Sequence, residues 1–331
     1  MRISESVSLG HPDKIADYIS ERILDEHIKQ DKNTKYALEV QVKDNFVSLA
    51  GEISTIAKVN FEEIVKKAVE EIGYDKEYQN KWGKENTICS DDLEIVKHIS
   101  IQSPDIAQGL KGWGDQGIFI GCAVNSPETK FQFKDYYVAT KLCKDLFDSK
   151  IGGLDIKTQV YVNDLNDIEK IIVAIPLLKD SDTKVVEDFV REKVPGDYIL
   201  VVNGTGRYVR HSTFGDCGTT GRKLAVDFYG GNCEIGGGSP WTKDATKADL
   251  TLNVYARRLA LKYVLQNNVK FAKCKIGCCI GKSDIDVTIV DMCNNTLDHY
   301  VIDKSPSSII VELGLDKPVF AELCRNGIFS L

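Results

Sequence analysis

Helical and strand-like periodicities alternate along the whole 331-residue chain, yet they never settle into the regular strand–helix–strand repeat of a doubly wound sheet. Mixed sheets with helices on one face are therefore expected, an α/β fold of the α+β type. The first helix is the best marked. Gly10 and His11 lead into Pro12, whose missing N–H suits the first helical position, and Ile15, Ile19, Ile23, Leu24 and Ile28 recur at helical spacing. Tyr36, Leu38, Val40 and Val42 form one face of a strand that turns at Lys43-Asp44-Asn45 into Phe46–Ala50. Asn60, with Glu63 three residues on, opens a second helix that Gly73 closes. Further strands are expected at 94–102, 116–124, 157–164, 169–178, 198–203, Leu224–Phe228, 270–280 and 285–291. Helices are expected at 133–148, 182–193, Thr246–Leu265 and in two short segments after 307.

Charge narrows the partners. With 42 basic and 49 acidic residues the net charge is −7, which argues against a protein that grips a nucleic-acid backbone. No run of about 18 apolar residues offers a membrane span. The first residues (Met1-Arg2-Ile3-Ser4-Glu5) lack the apolar stretch of a secretory signal, and the ten cysteines lack zinc-type CxxC pairs. A cytoplasmic protein with reduced thiols is expected.

Chemistry-bearing residues gather in a few segments. Gly10-His11-Pro12-Asp13-Lys14 places backbone N–H groups, a histidine and a lysine at a helix start, an anion site in type. His11 alone would read as a capping residue. Asp13 suits a hard cation, since Mg²⁺ takes one or two carboxylates plus phosphate oxygens. Asp17, Glu21 and Asp25, spaced by four from Asp13, read as a solvated helix face. Gly114-Asp115-Gln116-Gly117 is a polar turn, and Asp155-Ile156-Lys157 opens a strand. The richest stretch is 203–249, where glycine loops alternate with Arg207, Arg222, Lys223, Lys243 and Lys247. An acidic chain that collects cations around glycines is most simply built for a polyphosphate. Neither a Walker loop nor a dinucleotide-binding fingerprint is present. Thr246 and Asp249 also have the spacing of a loose capping box.

Several of these segments follow one another in a familiar order. Ser4 to Asp17, Gly51-Glu52-Ile53, Gln102-Ser103-Pro104-Asp105-Ile106, Gly114–Gly117, Lys157-Thr158-Gln159-Val160, Gly215-Asp216-Cys217-Gly218, Gly221-Arg222-Lys223 and Tyr229 to Asp249 together resemble the S-adenosylmethionine synthetase family. The resemblance implies three similar subdomains in a pseudo-threefold arrangement, here bounded at about 1–106, 107–223 and 224–331. It implies transfer of the adenosyl group of ATP to the sulfur of L-methionine, with triphosphate leaving and then being cleaved. It implies Mg²⁺ and K⁺ as cofactors and a homodimer, or a tetramer, with active sites at the subunit interface. Matched position by position, His11, Lys157, Arg222 and Lys243 are the expected catalytic residues. Asp115, Asp155, Arg207, Tyr208, Asp216, Lys223 and Ser239 join them as ATP contacts, with Tyr208 stacking on adenine. Glu52, Gln102, Asp216 and Lys247 match methionine contacts. Asp13 and Asp249 match Mg²⁺ ligands, and Glu39 a K⁺ ligand. A methionine-independent polyphosphate hydrolase and a non-catalytic nucleotide-binding partner are the competing readings.

The chain departs from the family pattern in four places. The segment 107–113, where relatives carry a mobile gate, is short, and Trp113 is a candidate to take over its role. Arg210-His211-Ser212-Thr213-Phe214 replaces a Gly-Gly-Pro stretch, so Arg210 and His211 are expected either to touch phosphates or to face solvent. Ser239-Pro240-Trp241-Thr242 replaces a common Ala-Phe-Ser-Gly segment. The ending at Leu331 lacks the usual helical finish, which bears on dimer against tetramer.

Overall fold

The computed structural model describes residues 1–101 and 112–330. In chain order the elements are β1 (Arg2–Val7), α1 (Pro12–Gln30), β2 (Lys35–Lys43), β3 (Phe46–Ser54), α2 (Phe61–Ile72), α3 (Lys76–Trp82) and β4 (Glu94–Ser100). They continue with β5 (Gly117–Val124), α4 (Lys134–Ser149), β6 (Lys157–Val162), β7 (Ile168–Ala174), α5 (Thr183–Lys193), β8 (Ile199–Val202), β9 (Gly218–Thr219) and α6 (Leu224–Asp227). The last are α7 (Ala248–Asn267), β10 (Phe271–Cys278), β11 (Asp284–Val290), β12 (Thr296–Asp303), α8 (Pro306–Leu313) and α9 (Phe320–Asn326).

Three four-stranded sheets result, ordered β1-β6-β7-β8, β4-β3-β2-β9 and β12-β11-β10-β5. In the first two, antiparallel neighbours are joined by one parallel pair each, β7–β8 and β3–β4. The third is antiparallel throughout. Each sheet combines strands from distant parts of the chain. The mixed α/β architecture expected from the periodicities is thus present.

α1 is the axis. It packs on β2, β9, α2 and α9, and Ile15, Ile19, Ile23 and Leu24 are fully buried. Burying each such side chain is worth about 1.5–3 kcal/mol. The acid stripe of the same helix is buried as well: Asp17 and Glu21 expose nothing and Asp25 only 4%. The expectation of a solvated face is therefore wrong. Amphipathic spacing locates one packed side of a helix, but here α9 and the loops after β9 cover the other.

Two further differences concern local structure. Leu224–Asp227 is one helical turn rather than a strand, with Asp227 N–H bonded to Lys223 O and Phe228 N–H to Leu224 O. A short apolar run carries no period that separates the two. β1, α3 and β12 carry no expectation from the sequence. In β1 the buried positions are Ser4 and Ser6, so apolar alternation is missing where a strand forms.

Asp25 accepts the N–H groups of Phe320 and Ala321, each at 3.0 Å, and so caps α9 from another helix. Asp25→Ala is expected to lower stability by about 1–2 kcal/mol, the usual cost of a lost helix cap, in urea unfolding. An unchanged midpoint would refute the capping role.

Candidate functional site

The β1–β6 register sets the first part of the site. Val7 pairs with Lys157, so the start of β6 lies beside the turn into α1. Ser8 locks the join: its N–H donates to Ile156 O, and its Oγ accepts from Ile156 N at 2.9 Å. His11 then caps α1, its Nδ1 accepting the Asp13 N–H at 3.1 Å. The acceptor role leaves Nε2 as the protonated nitrogen. Burial, reinforced by Lys223 and Lys157, lowers the His11 pKa to about 3, so the ring is neutral. Capping and a place in the site coexist.

The loop after Phe214 is drawn onto α1 by the helix's own carboxylates. Asp13 Oδ1 accepts Thr219 N–H at 2.9 Å, Asp17 Oδ1 accepts Gly221 N–H at 2.9 Å, and Glu21 Oε1 accepts Thr242 N–H at 2.6 Å. Glycine is required at 218, where a Cβ would strike the Pro12 carbonyl. Lys14, buried beneath this row, is paired with Asp17 at 3.0 Å and Asp227 at 2.8 Å. Trp241 closes the group, donating Nε1–H to Asp227 Oδ2 at 2.8 Å while Lys14 Nζ sits 4.6 Å from its ring centre.

The row carries the cations of the loop with it. Lys223 Nζ lies 2.5 Å from Asp13 Oδ2, and the Arg222 guanidinium 3.7 Å from Oδ1. Burial pushes the Asp13 carboxyl up, but Lys223 and the Thr219 N–H outweigh it and hold the pKa below its ordinary value. Asp155 joins from the strand side, accepting Ser212 N–H at 2.9 Å, while its Oδ1 is buried without a hydrogen-bond partner. Burial raises its pKa to about 6 against the pull of Ser212 and Lys157. His11, Asp13, Asp155, Lys157, Asp216, Arg222 and Lys223 thus influence one another as one group.

A second group forms around α7. Lys243 Nζ lies 2.5 Å from Asp249 Oδ2, whose Oδ1 accepts Gly238 N–H at 2.7 Å. Asp249 therefore reaches across to the glycine loop rather than capping its helix. Thr246 donates its hydroxyl to Asp244, and Lys247 pairs with Asp244 at 3.5 Å. Cys278 contacts the Asp115 carbonyl at 3.4 Å. Ser239 abuts Gly221, which stands at φ +72, and so links the two groups. Ala37 bridges to Lys243 and pairs with Glu52, placing Glu52 on the same flank. Glu39 receives the Thr220 hydroxyl and, at 3.2 Å, that of Thr242. That all-oxygen surrounding is the chemistry a hard monovalent cation takes.

Other expected residues fall elsewhere. Arg207 is exposed and donates to Ser181 O, without an ion pair among the described residues. Gln102 and residues 107–111 lie outside the described residues. Trp113 is fully buried, bridged to Ile280, and is no gate. His211, expected to touch phosphate or solvent, does neither: it is 1% exposed, against Trp82, Tyr78 and Tyr74. Arg210 is exposed and donates to Phe214 O. Sequence reasoning missed Asp17 and Glu21 as loop anchors; their spacing from Asp13 was the only signal.

Residues 1–104 match the model of the S-adenosylmethionine synthetase N-terminal domain, and residues 211–331 that of the C-terminal domain. Both ends of the chain therefore carry domains of one enzyme class. An S-adenosylmethionine synthase of Mycoplasma mycoides is 33% identical over 362 residues, spanning 99% of this chain and 92% of that protein. One from Desulfosudis oleivorans is 33% identical over 365 residues with the same coverage. A solved structure described as an unusual S-adenosylmethionine synthetase from Campylobacter jejuni superposes with a TM-score of 0.87 at 30% identity, covering 99% of this chain and 94% of that one. The chain belongs to the S-adenosylmethionine synthetase family. No helix among the described residues is long and apolar enough to cross a membrane.

Burial raises the Glu21 pKa well above its ordinary value, with Asp25 and Asp17 adding to the effect. Glu21→Gln, which mimics the protonated form and keeps the acceptor, is expected to unfold like the parent. Glu21→Leu leaves the Thr242 N–H unpaired and should cost about 1–3 kcal/mol in denaturant unfolding. Equal losses in both variants would contradict the anchoring role. For His211, burial lowers the pKa from 6.5 to about 4. The unfolded chain then takes up the proton first, so this contribution to stability is complete above 6.5 and is lost as pH falls towards 4. Thermal melts of His211→Gln should show a shallower loss over that interval; an identical slope would exclude the buried neutral ring.

Proposed function

We propose that this chain makes S-adenosylmethionine from ATP and L-methionine. The methionine sulfur attacks ribose C5′ with its lone pair, the C5′–O bond breaks, and the electron pair leaves with the triphosphate. The sulfonium product needs no base, because a thioether carries no proton to remove. Water then splits the triphosphate into pyrophosphate and phosphate. The barrier lies in aligning sulfur with C5′ and in stabilising the charge of the leaving group.

The observation that carries this reading is the convergence of Lys157, Arg222 and Lys223 on the His11–Asp13 turn. In this reading Lys157, Arg222, Lys223 and Lys243 take up triphosphate charge, and the neutral His11 ring donates its Nε2–H there. Tyr208 stacks on adenine, Asp155 and Asp115 meet the nucleoside, and Ser239 and Arg207 complete the ATP contacts. Glu52, Gln102, Asp216 and Lys247 hold methionine. Asp13 and Asp249 are hard carboxylate donors set among cations, a set suited to Mg²⁺ that arrives with phosphate oxygens. Mg²⁺ would supply additional neutralisation of the triphosphate. Glu39, with its two threonine hydroxyls, would hold K⁺. The outer face of β4-β3-β2 carries Glu39 and Glu52 and, in the row of Ser48, leaves Val96 47% exposed, and a second copy of the chain is the cover we assign to it.

Purified protein given ATP, methionine, Mg²⁺ and K⁺ should yield S-adenosylmethionine, pyrophosphate and phosphate. Phosphate release that ignores methionine would instead establish a hydrolase, and nucleotide binding without turnover a non-catalytic partner. Lys157→Ala should lower kcat by about 10²–10³-fold, the scale for losing one preorganised charge-stabilising donor. Full activity in that variant would overturn its role.

A further inference from the structure

The segment 208–212 hangs from parts of the fold that do not touch substrate in the reading above. His211 N–H donates to Asn86 O at 3.0 Å, and Leu177 N–H donates to Tyr208 O at 3.0 Å. The His211 ring has both nitrogens committed. Nδ1–H donates to Val209 O at 2.6 Å, and Nε2 lies 2.7 Å from the Tyr78 hydroxyl. That hydroxyl already accepts Leu154 N–H at 2.9 Å, so its own proton goes to Nε2. Trp82 closes the other side of the ring at 4.9 Å between centres. One imidazole therefore ties α3 and the Leu154 turn to the chain that presents Tyr208 on one side and Ser212 on the other. Ser212 N–H in turn fixes Asp155. Leu154 precedes Asp155 directly and His211 precedes Ser212, so the Tyr78 hydroxyl bonds to the neighbour of that carboxylate on one side and to the neighbour of its N–H donor on the other.

We propose that His211 is a positioning residue for the nucleoside end of the ATP site, acting through Tyr78 to fix Tyr208 and Asp155 relative to each other. The proposal rests on the ATP-binding reading above. It assigns to His211 and Tyr78 the work of holding a purine-stacking ring and a ribose-facing carboxylate in register, without contact to the phosphates. Loss of the imidazole should weaken ATP alone.

The test is a KM-against-kcat split in His211→Ala and His211→Gln, with ATP affinity measured separately by calorimetry in the absence of methionine. In His211→Ala, KM for ATP and the calorimetric Kd are expected to rise about tenfold, the worth of roughly one net hydrogen bond. KM for methionine and kcat at saturating ATP should stay within twofold. Glutamine, which can accept from Tyr78, should recover most of the ATP affinity. Unchanged ATP affinity in folded His211→Ala overturns the proposal, as does a parallel change in both KM values and kcat. Should His211→Ala fail to fold, Tyr78→Phe keeps the ring packing and removes the hydrogen bond, with the same expected split. If the parent protein binds ATP but makes no S-adenosylmethionine, the proposed function fails while the calorimetric comparison still decides the role of His211.

Discussion

A helix buried on every side must find partners for its charged groups inside the protein, and α1 finds them in the backbone of other segments. Four carboxylates spaced one turn apart accept N–H groups from Thr219, Gly221, Thr242 and the start of α9. A buried carboxylate without such donors would be costly. A glycine-rich loop without such acceptors would have little to fix it. Each defect answers the other, and the loop that carries Arg222, Lys223 and Lys243 is held in place before any ligand arrives. Preorganised charge of this kind is what a reaction with an anionic leaving group requires.

Without ligand, several of the cations are neutralised locally. Lys223 rests on Asp13 and Lys243 on Asp249, which keeps like charges from repelling one another. In the function proposed above, a polyphosphate would compete for both lysines and free the carboxylates for a divalent ion. The same economy explains how a chain of net charge −7 presents a cationic site. Thr242 shows the constraint at its tightest. It is β-branched yet stands at φ +76, and Glu21 and Glu39 hold it from two directions.

Local signals in the sequence were reliable where local physics decides the outcome. Asn60 and Gly73 bound α2, Pro12 opens α1, and the Tyr36–Val42 alternation is buried on one face. The family motifs located the chemistry-bearing segments, and the structure gathers most of them into two linked groups. What stayed hidden depends on partners far along the chain. Asp17 and Glu21 meet residues 204 and 221 positions away, and no spacing rule distinguishes such carboxylates from solvated ones. Ser4 and Ser6 face the interior of β1 through polar contacts, which removes the apolar alternation that announces a strand. His211 carries no local signal of its own, and only the α3 aromatics, themselves unread, explain its burial.

Amide hydrogen exchange of the ligand-free protein, resolved at single residues, bears most directly on the idea that α1 sets the cationic loop in advance. The N–H groups of Thr219, Gly221 and Thr242 should exchange as slowly as those in the middle of α1. Exchange at the rates of an open loop, with protection appearing only when nucleotide is added, would show that the ligand rather than the helix builds the site.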